Sequence, residues 1–405
     1  MHPRNRCISP SITLEDIYGP NSIYNSRASV SAFEWIFYDL PMVEAYTGNQ
    51  QTIMGRMPMI CSTSVSTAAV RDLLQQAGLQ GALHRYSYFS EEDYQKLLAQ
   101  LISSPYTLVV QHVYPPSELP AHKYWISPEL LSFLNNKAHL TDLVPTEYVA
   151  HRVVVETATI AENSVPPLPF PCVMKVVSGR SSGTGVGVMI CSNADDFQAA
   201  KKHFHSCQQV VVEEFVTVKR NLCVQFATTQ QGGIQYLGAA EQVTTGQVHY
   251  AGSWLDPHVQ PTERMLQVGQ RIMEKAVALG YKGVAGFDIV LLPDDRVVVL
   301  DLNFRVNGST ATILLQRGIM EAYGVSTLLY TSWLWHGATA QRLARAQQFI
   351  QQGYFIPLSF YNAELSPYPE AASRLLGIVI GQSREEVAAR NEQFSRELAA
   401  TPSVL

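Results

Sequence analysis

The segment GFDIVLLPDDRVVVLDLNFRVNGST, residues 286–310, restricts the fold of this chain more than any other stretch does. Two β-rich runs flank PDDR, whose composition is that of a turn, so the segment predicts an antiparallel hairpin. A turn centred on Asp294 and Asp295 sets Asp288 directly opposite Asp301, with their Cβ atoms roughly 4.5 to 5.5 Å apart. Two ionised carboxylates at that distance destabilise a sheet unless a cation lies between them. A three-residue turn would shift this pairing by one residue.

Strand alternation gives the second run two distinct faces. The side chains expected on the same face as Asp301 are those of Val297, Val299, Asn303 and Arg305. Because oxygen ligands suit Mg²⁺ or Mn²⁺ held jointly with substrate phosphates, we expect Asp288, Asp301 and Asn303 to bind metal. No cluster of histidine and cysteine favours zinc. The alternative is an exposed strand with its polar side in water.

A glycine-rich stretch, FPCVMKVVSGRSSGTGVGVMICS at residues 170–192, lies between two apolar runs. A Walker loop or a Rossmann loop requires a helix after its glycines, whereas the residues after Gly187 are β-rich and too few for a helix. The stretch therefore predicts a hairpin flap whose backbone N–H groups can close over phosphates. Lys175 lies four residues before Gly179, where its ammonium can reach a phosphate. An ordinary mobile surface hairpin is the alternative.

Length and composition limit the range of functions. The chain has 405 residues, too many for one hydrophobic core, so two or three domains are expected. A net charge of -5 gives no broad positive field for nucleic acid or an acidic membrane surface, which favours a small-molecule role. The six cysteines include no C-x-x-C pair and predict reduced thiols. With no signal segment and no long apolar span, we expect a cytoplasmic protein that binds neither nucleic acid nor membrane.

The periodicity of the chain changes twice. Strand and helix patterns alternate from Met57 to about residue 113, as in an α/β unit with a parallel sheet, but no G-x-G-x-x-G follows the first of these strands. Hairpin-linked strands dominate the middle of the chain, and helical patterns return after about Leu329. Within the middle part, QVHYAGSWLDPH at residues 247–258 is predicted to be a loop. The predicted units are residues 1–125, 126–330 and 331–405, the second being divided into parts at about 150–216 and 217–330.

Five motifs occur in a characteristic order: Lys137 in NNKAHL, Lys175 with the glycine flap, VVVEEFV, Asp288 and DLNFR. Over roughly residues 55–330 this order resembles the ATP-grasp superfamily, specifically its carboxylate–amine ligases with a preceding Rossmann-like domain. The resemblance implies a multidomain α/β and α+β fold. A Rossmann-like pre-ATP-grasp domain would precede two α+β subdomains that sandwich ATP, and a C-terminal helical and β extension would pack on that core.

The resemblance also implies a nucleotide site. Lys137 and Lys175 would contact the phosphates. Residues 213–216 would form the adenine hinge, in which the Glu214 carbonyl accepts from the adenine amino group and the Val216 N–H donates to the ring. The implied nucleotide-binding residues are Lys137, Lys175, Gly179, Ser182, Gly183, Gly185, Gly187, Glu213, Glu214, Phe215, Val216 and Asn221. Asn221 stands where a ribose-binding acid is often found.

By the same resemblance, Asp288, Asp301 and Asn303 match the metal ligands. The family usually has Glu at the position of Asp301, so the shorter side chain can alter the metal geometry. Arg305 matches the arginine that steadies the transferring phosphoryl group and the acyl phosphate, and it is the predicted catalytic residue.

The implied activity is ATP-dependent formation of an amide or peptide bond. A substrate carboxylate attacks the γ-phosphate, and the acyl phosphate formed then reacts with an amine, so that ADP and phosphate are released. The flap would keep water away from the acyl phosphate. The expected ligands are ATP, Mg²⁺ or Mn²⁺, and a small-molecule carboxylate and amine, with an amino acid or short peptide among them. A homodimer is one alternative for the assembly.

Three alternatives stay open: a phosphotransferase acting on a hydroxyl, a biotin-carboxylase-like enzyme, and a catalytically silent nucleotide-binding regulator. The sequence identifies no firm general base. His249 is either that base or a loop histidine without function. Tyr250 and Trp254 either line the acceptor pocket or pack the loop.

Overall fold

The computed structural model describes residues 7–32, 39–159, 166–177, 187–246, 249–399 and 401–402. These residues form one parallel sheet and two largely antiparallel sheets with helices packed against them. None of the described helices has the length and apolarity that a membrane crossing requires.

The N-terminal part is an α/β unit. Its strands are β1 (Ser22–Asn25), β2 (Met59–Ser62), β3 (Arg85–Tyr88) and β4 (Thr107–Val110). Its helices are α1 (Leu14–Tyr18), α2 (Leu40–Tyr46), α3 (Ala68–Gln76), α4 (Glu91–Ile102), α5 (Pro128–Asn135) and α6 (Leu140–Leu143). The strands pair in parallel in the order β3-β2-β1-β4, which confirms the predicted parallel sheet. The strand order reverses at β1 and β4, so a crevice is expected beyond their carboxyl ends.

Local sequence explains why these elements form. In α4, Ser90 caps the helix in a capping box with Asp93, and the buried Tyr94, Leu98 and Leu101 follow one another at helical spacing. Strand β1 was not foreseen, because its four residues SIYN are entirely buried and show no alternation.

The second sheet contains β5 (Arg152–Glu156), β6 (Cys172–Val177), β7 (Val188–Cys191) and β8 (Gln209–Glu214), with α7 (Ala194–His203) against it. The strands pair in antiparallel fashion in the order β5-β8-β6-β7. Because β6 pairs with β7, the prediction that strands lie on both sides of the glycine stretch is confirmed. Gly187 follows the gap, whereas Gly179, Ser182, Gly183 and Gly185 lie outside the described residues. The flap itself therefore stays a prediction.

The third sheet carries the acidic hairpin and most of the C-terminal part. Its strands are β9 (Arg220–Thr228), β10 (Ile234–Thr245), β11 (His249–Leu255), β12 (Val284–Leu291), β13 (Val297–Asn303), β14 (Thr327–Trp335), β15 (Phe355–Tyr361), β16 (Ser373–Gly381) and β17 (Thr401–Pro402). The associated helices are α8 (Glu263–Ala278), α9 (Thr310–Tyr323), α10 (Ala340–Gln352) and α11 (Arg384–Leu398). The order is β13-β12-β9-β10-β11-β14-β16-β15, with β17 beside β14.

Two sequence expectations need correction here. The stretch predicted as a loop at 247–258 contains strand β11, which pairs with β10 and β14 and so joins the two halves of the sheet. The chain also does not turn helical directly after Leu329, because β14 continues to Trp335. The predicted domain limit after residue 330 falls inside β14.

Candidate active site

The acidic hairpin of β12 and β13 places Asp288 directly opposite Asp301, which confirms the predicted pairing. Near the turn the observed register differs from the predicted register by one residue, because Ile289 pairs with Val299. The turn closes with a hydrogen bond from the Leu292 N–H to the Arg296 carbonyl and is longer than assumed. A β-bulge at residue 300 absorbs the difference, so the two carboxylates still face each other.

The bulge also changes which valines share the carboxylate face. Val297 and Val299 are buried in the core under the opposite face together with Leu302. Val298 instead packs in a small cluster next to Leu300. The expectation that Val297 and Val299 lie beside Asp301 is therefore wrong, because the extra residue in the bulge reverses the alternation.

A cation accompanies the carboxylate pair. The Lys137 ammonium lies 2.6 Å from Asp301 Oδ2, and the Leu302 N–H donates to Asp301 Oδ1 over 3.0 Å. Burial alone would raise the pKa of Asp301, but the nearby Lys137 charge and hydrogen bond hold it below its usual value. Lys137 thus supplies the positive charge that two facing carboxylates require.

Asp288 has a different environment. Its Oδ1 accepts a 2.7 Å hydrogen bond from Gln242, whose own carbonyl accepts one of 3.0 Å from Asn221. Burial, together with the charge of Asp301, raises the pKa of Asp288 to about 7. The two carboxylates therefore differ in proton affinity, and Asn221 is linked to the acidic site through Gln242. A ribose contact by Asn221 stays a prediction.

A chain of contacts connects the two predicted phosphate lysines. Lys175 Nζ lies 2.6 Å from Glu213 Oε1 and donates to the carbonyl of the bulged Leu300 over 3.0 Å. Arg152 Nη1 lies 3.3 Å from Glu213 Oε2, and its Nη2 donates to the backbone carbonyl of Lys137 over 2.6 Å. All three charged side chains of this Lys175–Glu213–Arg152 group are at most 8% exposed. Lys175 is thereby linked, through Glu213 and Arg152, to the backbone of Lys137.

Arg152 is a site residue that the sequence did not indicate. It lies on β5 directly opposite Glu213 of β8. The only signal in the sequence was an arginine before a β-branched run, and nothing local relates it to a glutamate sixty residues later. The carboxylate of Glu213 is directed at Lys175 and Arg152, so its contact with the nucleoside stays a prediction.

The predicted adenine hinge lies over the acidic hairpin. Val216 packs against a small cluster that contains Val290 and Val298, which belong to the carboxylate face of the hairpin. Phe215 is 37% exposed, and Glu214 is the exposed last residue of β8. The predicted hinge and the two carboxylates therefore lie on the same side of β12 and β13. This placement is the one expected if a single cleft lies between the second and third sheets.

The loop that follows β13 holds Arg305 in place. Asn135 Oδ1 accepts from the Phe304 N–H over 3.0 Å and from Arg305 Nη1 over 3.3 Å. The Asn307 amide donates to the Arg305 carbonyl over 2.8 Å. A Cβ at Gly286 would lie 2.5 Å from Asn307 Nδ2, so only glycine leaves room for this arrangement. Helix α9 begins directly after the loop.

The other residues predicted near the acceptor, Tyr250, Trp254 and His249, lie in three different environments. Tyr250 lies against Gly308, because a Cβ there would come within 3.4 Å of its ring. Trp254 packs against the two large cores and under the Arg384 guanidinium, with 5.2 Å from that carbon to the ring centroid. His249 is exposed at the start of β11.

Known proteins resemble this chain in both sequence and fold. A family model described as the ATP-grasp domain of L-aspartate--L-methionine ligase matches residues 150–303, and a model described as the N-terminal domain of that ligase matches residues 13–132. An L-amino acid ligase from Bacillus licheniformis is similar at a TM-score of 0.55 and 12% identity, with 95% of this chain and 99% of that chain covered.

Two further solved structures share the fold as well. N5-carboxyaminoimidazole synthetase from Staphylococcus aureus, in complex with ADP, has a TM-score of 0.58 at 11% identity, covering 98% of this chain and 100% of its own. Biotin carboxylase from Campylobacter jejuni has a TM-score of 0.54 at 12% identity, covering 95% of this chain and 92% of its own. These likenesses confirm the predicted fold class.

Proposed function

This chain belongs to the ATP-grasp superfamily of carboxylate–amine ligases and is an ATP-dependent, amide-forming enzyme, and we propose that it joins L-aspartate to L-methionine. The observation that carries the proposal is that two separate family models of L-aspartate--L-methionine ligase match the N-terminal and the ATP-grasp parts of the chain in the expected order. In this proposal aspartate supplies the carboxylate and methionine the amine.

The proposed chemistry has two steps. A carboxylate oxygen of aspartate forms a bond to the γ-phosphorus of ATP, and the bond from that phosphorus to the β,γ-bridging oxygen breaks, which gives an acyl phosphate and ADP. The methionine nitrogen then attacks the acyl carbon, phosphate leaves, and the nitrogen gives up a proton. We propose that Lys137 and Lys175 bind the phosphates of ATP. The proposal is supported by their ammonium groups, which contact neighbouring residues of β13: Lys137 pairs with Asp301, and Lys175 donates to the Leu300 carbonyl.

Arg305 is the proposed catalytic residue. Its guanidinium follows the metal-ligand strand directly and is oriented by Asn135. There it can stabilise negative charge on the phosphoryl group and on the tetrahedral intermediate. We propose this role because side chains from three separate parts of the chain, Asn135, Gln111 and Gln50, bond to the loop that carries Arg305.

The residues of the hairpin fit a divalent metal ion. Asp288, Asp301 and Asn303 offer three oxygen donors on one face of β12 and β13, a donor set suited to Mg²⁺ or Mn²⁺. Among the described residues no group of three His, Cys, Asp or Glu could hold a metal ion. In this proposal phosphate oxygens would complete the ligands of the ion. When bound, such an ion neutralises charge on the phosphates.

The proposal is tested with the purified protein, ATP, Mg²⁺, L-aspartate and L-methionine. We expect ADP and phosphate release that requires both amino acids, and an aspartyl-methionine product by mass spectrometry. Parallel reactions contain each amino acid alone, other pairs of amino acids, an alcohol as acceptor, or bicarbonate with biotin.

The outcomes separate the alternatives. Amide formation from another pair of amino acids would contradict the assignment of aspartate and methionine as substrates, while the ligase activity would stand. Turnover only with an alcohol, or only with bicarbonate and biotin, would contradict amide formation and favour a phosphotransferase or a carboxylase.

A further inference from the structure

The crevice at the carboxyl ends of β1 and β4 faces the loop that carries Arg305. Gln111, just after β4, donates to the carbonyl of Val306 over 3.3 Å. Gln50 reaches the next residue of the loop, because its Nε2 donates to the carbonyl of Asn307 over 3.1 Å. Polar side chains of the N-terminal unit therefore line the approach to the proposed catalytic arginine.

Two polar atoms, on Gln50 and on the residue that follows Gln111, have no hydrogen-bond partner among the described residues. One is Oε1 of Gln50, a residue that is only 3% exposed. The other is Nδ1 of His112, which is itself buried although the residue as a whole is partly exposed. Because a buried acceptor without a partner costs about 1–3 kcal/mol, such atoms indicate that a ligand completes the site.

The charge state of His112 is set by its surroundings. Burial and the positive charge of Arg305 lower the pKa of His112 to about 3, so the imidazole is neutral at physiological pH. A neutral imidazole has one nitrogen that accepts a hydrogen bond. The two groups that lack partners can thus both accept from an N–H donor.

We propose that Gln50 and His112 bind the amino group of the nucleophilic substrate and hold it beside Arg305. This inference rests on the proposed function, in which an amine attacks an acyl phosphate at that arginine. It assigns recognition of the amine to the N-terminal unit, while the ATP site is formed by the second and third sheets.

The chemistry of the crevice favours an amine over a carboxylate. A carboxylate has only acceptor oxygens, and the Gln50 amide nitrogen is already used on Asn307, so its free oxygen would repel a carboxylate. A neutral amino group, the form that attacks an acyl carbon, supplies two N–H donors for the two acceptors and carries no charge for Arg305 to repel. Its place next to Arg305 also brings the nitrogen close to the group that steadies the acyl phosphate.

The test separates amine binding from the first chemical step. Hydroxylamine traps an acyl phosphate as a hydroxamate without requiring a specific amine site. We therefore measure aspartyl hydroxamate formation alongside aspartyl-methionine formation in His112→Leu. In Gln50→Leu we measure the KM for methionine only, because this variant also loses the bond from Gln50 to the Asn307 carbonyl. In both variants we expect the KM for methionine to rise roughly 5- to 100-fold, the cost of leaving a buried hydrogen bond unmade, while hydroxamate formation by His112→Leu stays within about twofold of the wild type.

Control variants sharpen the comparison. His84→Leu changes an exposed histidine of the same unit and should alter neither rate. His112→Asn puts an amide near the position of Nδ1 and should restore part of the affinity for methionine. A purely structural role of His112 would instead lower both activities together.

The inference is overturned if His112→Leu and Gln50→Leu keep the wild-type KM for methionine, or if hydroxamate and dipeptide formation fall in parallel in His112→Leu. Failure of the proposed function is recognised separately in the wild type, by the absence of aspartyl hydroxamate and of dipeptide. If the wild type accepts a different pair of substrates, the same comparison of KM values is made with that amine.

Discussion

Asp288 shows how a single residue can oppose folding and still serve the site. Its ordinary pKa of 3.8 rises to about 7 in the folded chain, because burial and the facing Asp301 disfavour the ionised form. Between about pH 4 and 7 the unfolded chain has released this proton and the folded chain still holds it. Raising the pH through that range therefore lowers the free energy of unfolding, and this loss of stability is complete above about pH 7.

We expect Asp288→Asn to be more stable than the wild type at neutral pH when no divalent metal is present. The difference in the free energy of unfolding should grow from near zero at pH 4 to on the order of 2 kcal/mol at pH 7.5. This figure is smaller than the pKa shift alone implies, because the side chain is partly exposed to solvent. Urea unfolding in EDTA at several pH values measures it. His112, whose lowered pKa makes stability rise between about pH 3 and 6.5, is present in both proteins and cancels in the difference.

Asp294→Asn is the matched control, since Asp294 is an exposed turn residue whose pKa is lowered by hydrogen bonds from Arg296. It should show no advantage that grows with pH. Added Mg²⁺ at pH 7.5 should stabilise the wild type and leave Asp288→Asn nearly unchanged. A pH-independent difference between Asp288→Asn and the wild type would contradict the assignment of this cost to ionisation.

At the scale of elements, the hairpin shows what sequence reasoning could reach. Composition located the turn and the pairing of Asp288 with Asp301, but the length of the turn was wrong by one residue and the bulge at Leu300 compensated. No local pattern marks a bulge whose carbonyl bonds to Lys175 of another sheet. Strand β11 was missed for a related reason, because Gly252 and a shift in register interrupt its alternation.

Gly286 couples strand β12 to the loop of Arg305, and we expect Gly286→Ala to disturb that loop. The new Cβ would meet the amide carbon of Asn307 at 2.8 Å as well as its nitrogen, so rotating the amide does not relieve the contact. Asn307 would then lose its bond to the Arg305 carbonyl. We expect kcat to fall roughly tenfold, equivalent to about 1.4 kcal/mol, with little change in the KM for ATP.

Steady-state kinetics with varied ATP measures this effect. Gly233→Ala, in the exposed turn between β9 and β10, is the control, because its Cβ would meet only the Thr229 hydroxyl at 3.3 Å. If Gly286→Ala raises the KM for ATP and leaves kcat unchanged, the loop does not act through Arg305.

At the scale of the whole molecule, the packing divides the chain into unequal parts. One core contains residues from Ile8 to Leu398 and so joins the N-terminal unit to the C-terminal strands and helices. A second lies between the N-terminal unit, α8 and the acidic hairpin. The second sheet has a core of its own, whose buried members all lie between Leu168 and Val212. Sequence periodicity located most of the strands but not this partition, which depends on contacts between distant elements.

Because its core is separate, we expect the second sheet to open without unfolding the rest of the molecule. The side-chain bonds that link it to the remainder include those from Arg152 to the Lys137 carbonyl and from Lys175 to the Leu300 carbonyl. Amides of β6 and β8 should therefore exchange hydrogen at a lower opening free energy than those of β9, β12 and β14.

Hydrogen-exchange mass spectrometry with and without ATP tests this expectation. ATP bound between the second and third sheets should slow exchange in β6 and β8, and it should leave β16 and α11 unaffected. Lys175→Met should remove most of that protection, because the nucleotide loses a phosphate contact and the second sheet loses its bond to Leu300. Lys219→Met, which removes an exposed pair with Asp295, is the control and should keep the protection. Equal exchange in all three sheets would show that the second sheet does not open as a separate unit. Equal protection by ATP in Lys175→Met and in the wild type would show that the nucleotide does not close this sheet through Lys175.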